Sequence, residues 1–288
     1  MPSFDPAWLD SMYNNRALVP DHEMHFARWK DASADAREAL DARLDIAYGN
    51  GPNETLDIFV PRHRVPSTGA PIVVFIHGGY WRSLDKADHS FIASPYVDQG
   101  CCVVVPNYAL CPAVTIPQIC LQLVRALAWL WHHAGEYGAD RSRISVWGHS
   151  AGGHLAAMMQ SVLWQQVDPA LAPNLVKNSL AISGLFDLEP LRQAPFLRDA
   201  LQLTPPDSLR ASPARMPAPA HGNLYAVAGA QESAEFIRQN QLIAEVWGRK
   251  RVPVCEALAG LNHFSVLEAL TLPGHRLQAL ALERIAQI

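Results

Sequence analysis

One serine stands out by its neighbours. Residues 148–152 read Gly-His-Ser-Ala-Gly, and Ser150 sits between a β-branched run, "RISVW", and small apolar residues at helical spacing, "HLAAMM". A G-x-S-x-G pentapeptide between a strand and a helix is the pattern of a nucleophile elbow. Its glycines permit a sharp turn, the serine takes a strained backbone conformation, and the hydroxyl rises clear of the sheet. A serine hydroxyl attacks poorly until a base removes its proton. In such elbows the acid and then the histidine follow the serine along the chain. His263, in "GLNHFSVLEAL", comes after the last strand-like segment and before the final helix; His221 precedes a strand and His275 lies inside the terminal helical region. For the acid, Glu232 falls in the turn after "NLYAVAG", Glu235 lies one helical turn on, and Asp187 follows the preceding strand. "HGGYW" (His77–Trp81) ends another apolar run, and Gly78, Gly79 and Ala151 are suited to offering backbone N–H groups to an oxyanion. Tyr80, Trp81 and Phe264 flank these residues and suit an aromatic leaving-group pocket, the alternative being that they pack the cap.

Those residues need a scaffold that brings them together. "PIVVFIHGG", "CCVVVPNY", "RISVWG", "SLAISG", "NLYAVAG" and "VPVCEAL" read as strands, several of them unbroken apolar runs of the kind buried on both faces. Helical patterns stand between them, notably "QICLQLVRALAWLWHHAG", the run after Ser150 and "SAEFIRQNQLIAEVWGR", with a last helix near "LQALALERIAQI". "RLDIAYG" and "TLDIFVP" read as an antiparallel pair ahead of the loop "RHRVPSTGA". Strand–helix alternation of this kind implies a mostly parallel eight-stranded sheet covered by helices on both faces. Residues 5–42 read as helical pieces. The Pro-rich stretch 187–220 is too long for a plain connection, so both segments are expected to contribute to a small helical cap over the site.

The bulk numbers fit one α/β domain over residues 1–288: 49% of the chain is hydrophobic and 17% charged. A net charge of -4 gives no basic surface for nucleic acid. The first residues lack a basic start followed by an apolar core, and no apolar run approaches the roughly 18 residues a membrane span needs. A soluble, cytoplasmic protein without nucleic-acid or membrane partners is expected; the oligomeric state is open, a homodimer included. The five cysteines have no C-x-x-C pair and are expected as buried free thiols, and the histidines lack metal-ligand spacing.

Taken in order, "SMYNNRALVP", "YGNGPNETLDIFVP", "HGGYWRSLDK", "GHSAGGHLAAMM", "SGLFDLEPL", "LQLTPPDSLRASPAR", "GAQESAEFIRQN" and "NHF" resemble the α/β-hydrolase-fold kynurenine formamidases (arylformamidases) and related bacterial esterases, over nearly the whole length. The resemblance implies an α/β-hydrolase fold, a triad of Ser150, Glu232 and His263, and an oxyanion hole framed by Gly78, Gly79 and Ala151. It further implies hydrolysis of an N-formyl arylamine such as N-formyl-L-kynurenine, a step of tryptophan catabolism, with neither metal nor organic cofactor. A carboxylesterase or another arylamidase is the rival expectation, since one triad serves both chemistries. The chain departs from the pattern at Ala109, where related esterases often carry arginine, and at Glu232, where some members have aspartate.

Overall fold

The unbroken apolar runs form the middle of a single sheet. A computed structural model describes residues 4–61 and 68–288. Its eight strands are β1 (Ala42–Ala47), β2 (Thr55–Phe59), β3 (Ala70–Ile76), β4 (Cys102–Pro106), β5 (Ala139–His149), β6 (Val176–Ile182), β7 (Leu224–Gly229) and β8 (Val254–Leu258), in the spatial order β1-β2-β4-β3-β5-β6-β7-β8. β1–β2 and β2–β4 pair antiparallel, and every other pairing is parallel. This is the mostly parallel sheet that the strand–helix alternation implies. Most of the loop expected over residues 62–70 lies outside the described residues.

Alternate side chains along each central strand feed opposite faces, as the two-residue period of a strand requires. Ile72, Val74, Ile76, Ile144 and Val146 pack toward the helices Ile116–His133 and Ala151–Gln160, through Leu123, Leu127 and Leu155. Val73, Phe75, Trp147, Leu180 and Ile182 face the other way, toward Trp29 and Ala36 of helix His22–Ala39 and Leu277 and Leu280 of helix Arg276–Ala286. The edge strands β1 and β8 expose much of their length, in keeping with their alternating sequences. The helix Ile116–His133 begins at a capping box, Thr115 with Gln118, and has a proline in its first turn, so its start is encoded locally.

The N-terminal segment folds as helices Pro6–Tyr13, Asn15–Leu18 and His22–Ala39, and the 187–220 stretch as Glu189–Gln193, Pro195–Leu201 and Pro205–Arg210. Cys101, Cys102, Cys111 and Cys120 are buried free thiols, but Cys255 is exposed because it lies on the edge strand β8. Among the described residues no helix is long and apolar enough to cross a membrane.

Candidate active site

Parallel register aligns the carboxyl ends of the central strands: Ile76 pairs with Gly148, Gly148 with Ala181, Ile182 with Val227, and Gly229 with Leu258. Ser150, Ser183, Glu232, His263 and the His77–Trp81 loop all follow these ends. One edge of the sheet therefore gathers groups more than a hundred residues apart in sequence, in the crevice where open α/β sheets bind ligands.

The turn at Ser150 is tight. Ser150 holds φ 57° and ψ -119°, and its N–H donates to the Ile182 carbonyl at 2.8 Å. A side chain at Gly148 would place its Cβ 2.1 Å from the Gly152 carbonyl oxygen, and one at Gly152 would sit 2.0 Å from that of Ile76. Strand and helix cross too closely for anything but glycine at these two positions. The first turn of helix Ala151–Gln160 then directs its unpaired N–H groups and positive dipole end toward the serine.

Ser150 Oγ lies 3.1 Å from His263 Nε2, and His263 Nδ1 lies 2.6 Å from Glu232 Oε2. A carboxylate only accepts, so Nδ1 carries the proton and Nε2 presents its lone pair to the serine hydroxyl. Glu232 Oε1 accepts from the Ser183 hydroxyl at 2.5 Å and from the Gly229 N–H at 2.7 Å. The carboxylate is fully buried, so these bonds hold it where it can orient the imidazole and stabilise its charged form. His149 Nε2 donates to the His263 carbonyl at 2.7 Å, and the rings of His149 and Phe236 lie 4.8 and 4.6 Å from the His263 ring. Burial, followed by the nearby His263, pushes the His149 pKa well below its usual value and keeps that ring neutral.

The other two acids are engaged elsewhere. Asp187 pairs with Arg215 at 3.0 Å, and Glu235 with Arg238 at 2.7 Å while accepting the Tyr13 hydroxyl at 2.5 Å. His275 caps the last helix, and the His221 carbonyl binds Gln160.

Gly79, at φ 103°, lines the pocket beside Ser150, and Gly78 packs behind: a Cβ there would come 3.2 Å from Ser150 Cβ. His77 below them is fully buried, stacked on Tyr108 at 4.3 Å, with Nδ1 2.9 Å from the Gly78 carbonyl. Tyr80, Trp81 and Leu84 continue this loop with φ of 50°, 55° and 71°, and Ser183 has 52°. Strain of this kind costs about 1–3 kcal/mol per residue and persists where packing fixes the conformation.

Tyr80 and Phe264 line the pocket as the aromatic spacing suggests. Trp81 does not. Its ring is fully buried, edge-on to His154 at 5.0 Å, because the positive φ at Tyr80 and Trp81 reverses the chain and turns the indole into the core. Phe26, Trp29, Arg16, Arg82 and Phe196 complete the walls. Sequence reading missed them, and Ser183 as well. Phe26 and Trp29 carry only the signal of aromatic spacing on a polar helix, while Ser183 carried the signal of a strand end before Gly184.

The fold is that of the α/β-hydrolases. A family model described as BD-FAE matches residues 56–188. The kynurenine formamidase of Danio rerio is 29% identical over 91% of this chain and 88% of its own. A crystal structure of a thioesterase candidate from Silicibacter sp. is 31% identical, with TM-score 0.81 over 94% of this chain and 97% of that one. Esterase B of Lactobacillus rhamnosis superposes at TM-score 0.75 with 20% identity, over 99% of this chain and 96% of its own. The chain has the α/β-hydrolase fold, is similar over nearly its whole length to kynurenine formamidases and in part to esterases, and is a hydrolase of amide or ester bonds.

Proposed function

We infer that the protein hydrolyses the formamide bond of an N-formyl arylamine, N-formyl-L-kynurenine being the substrate best supported, to give the free arylamine and formate. In this reading His263 removes the Ser150 proton as the oxygen attacks the formyl carbon. The oxyanion rests against the N–H groups of Gly79 and Ala151, with Gly78 shaping the loop. His263, held by Glu232, returns the proton to the departing aromatic nitrogen, and water then clears the formyl-serine ester by the same route in reverse.

The observation that carries the chemistry is the hydrogen-bonded line Glu232–His263–Ser150 at the base of a pocket walled by Phe26, Trp29, Tyr80, Phe196 and Phe264. The substrate is supported by similarity along nearly the full chain to a protein named kynurenine formamidase. Hydrolysis of a small acyl ester is the second reading, favoured by the esterase among the similar structures. Comparing kcat/KM for N-formyl-L-kynurenine with that for p-nitrophenyl acetate separates them. Clear turnover of the formamide supports the first; turnover of the ester alone removes it.

A further inference from the structure

Two cations stand in the pocket with no counter-ion. Arg16 and Arg82 both line it, and no aspartate or glutamate does. Among the described residues neither guanidinium forms an ion pair with a carboxylate. Arg16 Nη2 donates to Ser83 Oγ at 3.1 Å, and Ser83 Oγ donates to the Gly79 carbonyl at 3.0 Å, so the charge stands two hydrogen bonds from the oxyanion loop. Arg16 also lies over the Phe26 ring at 5.4 Å. Arg82 Nη1 donates to the Phe196 carbonyl at 2.8 Å and its guanidinium lies 5.8 Å from the Phe196 ring centre. Each arginine thus keeps most of its five donors free and rests near an aromatic ring. They are close enough that, after burial, the Arg16 charge is the next cause lowering the Arg82 pKa. Asn15, on the same wall, is 4% exposed and its side-chain nitrogen has no hydrogen-bond partner.

Adjacent like charges without a counter-ion are unfavourable, and an anion bound between them relieves the repulsion. A planar guanidinium fork matches a carboxylate in particular. We propose that Arg16 and Arg82 form a carboxylate subsite, so that the enzyme selects aromatic amides or esters whose leaving group carries an anionic carboxyl group. This deepens the formamidase reading and rests on it for the amide, but the charge preference can be measured on esters alone.

The test uses two matched pairs, phenyl acetate against 3-acetoxybenzoate and formanilide against 3-formamidobenzoate, with wild type, Arg16→Met, Arg82→Met, the double variant and Arg82→Lys. The readout is the ratio of kcat/KM, charged over neutral, which is insensitive to the fraction of folded protein. Each methionine variant should lower the ratio about 10–100-fold, mainly through KM of the charged member, as loss of a charge-assisted bond predicts. The double variant should erase the preference, Arg82→Lys should restore part of it, and 0.5 M salt should narrow it. Equal losses on both members of a pair, or a ratio that the variants leave untouched, overturns the subsite. If the esters show the arginine-dependent ratio and the formamides are not turned over, the formamide reading fails and the subsite stands. Formamide turnover without a charge preference does the reverse.

Discussion

Two of the buried clusters that hold carboxylates make a useful pair, because only one of the two is equipped for chemistry. In the first, Glu232 is paired with His263, which faces Ser150 and the pocket. In the second, fully buried Asp57 binds Arg37 Nη1 at 2.6 Å and Lys86 Nζ at 2.7 Å, while Lys86 also reaches Asp45 at 2.6 Å. That cluster ties β2 to helix His22–Ala39 and to the segment after the oxyanion loop. Its carboxylates meet an ammonium and a guanidinium, groups that only donate hydrogen bonds and offer no lone pair to a hydroxyl proton. The Glu232 partner is an imidazole with one nitrogen committed to the carboxylate and the other free to take a proton from a hydroxyl. Buried charge alone therefore does not mark a candidate active site; a ring nitrogen with a free lone pair, beside a hydroxyl and an open cavity, does.

The sharpest test of this contrast is Ser150→Ala. It should lower kcat on p-nitrophenyl acetate roughly 10⁴–10⁶-fold with no loss of thermal stability; residual activity within tenfold of wild type would remove the assignment. Glu232→Gln should follow at about 10³–10⁴-fold, because an amide in place of the carboxylate no longer holds the imidazole in its working tautomer. Lys86→Met should do the opposite. Breaking a buried pair costs about 3–5 kcal/mol, so the urea midpoint should fall while kcat per folded molecule stays level; a large drop in kcat would show that the two clusters are coupled.

Acid should act on the site side as well. Burial lowers the pKa values of His77, His89 and His154 to about 4 and holds that of His149 well below its usual value. The unfolded chain takes up these protons near pH 6.5 and the folded chain does not until about pH 4, so acidification through that window favours unfolding. Going from pH 7 to 5.5 should cost on the order of 1 kcal/mol per such histidine, read as a falling urea midpoint. A midpoint flat across that range would refute it. The smallest effect is expected from Ser183→Ala, which removes one of the donors to Glu232: about a tenfold loss in kcat/KM, with KM little changed, measured on the ester substrate.

The sequence makes the sheet and the tight turn at Ser150 readable for the same reason. Unbroken runs such as "PIVVFI" need two covered faces, and the glycines at 148 and 152 need a tight strand–helix crossing, so each pattern is dictated within a few residues. Among three candidate acids Glu232 is favoured by its place in the turn and by the resemblance, and in the packed structure it meets His263 while Glu235, one helical turn away, is turned toward Tyr13 and Arg238. The pocket walls were far less legible. Arg16, Phe26 and Trp29 reach the site because polar helices near the start of the chain pack over loops made much later, and nothing in their local pattern states what they cover. Trp81 shows the converse error: proximity in sequence to the oxyanion glycines suggested contact with substrate, while the backbone reversal buried its ring.

The N-terminal segment also clasps both sides of the site. The Tyr13 carbonyl accepts the Tyr80 hydroxyl at 2.5 Å, the Met12 carbonyl accepts from Ser233, and Tyr13 reaches Glu235 across 222 residues of chain. Residues 12–13 thus reach their resting place only when residues 233–235 are also in place, a long-range pairing of the kind that is slow to form. An enzyme in which residues 6–39 had come away would keep Ser150, His263 and Glu232 on the sheet but lose this wall of the cleft, so discrimination among substrates should be surrendered before bond cleavage is.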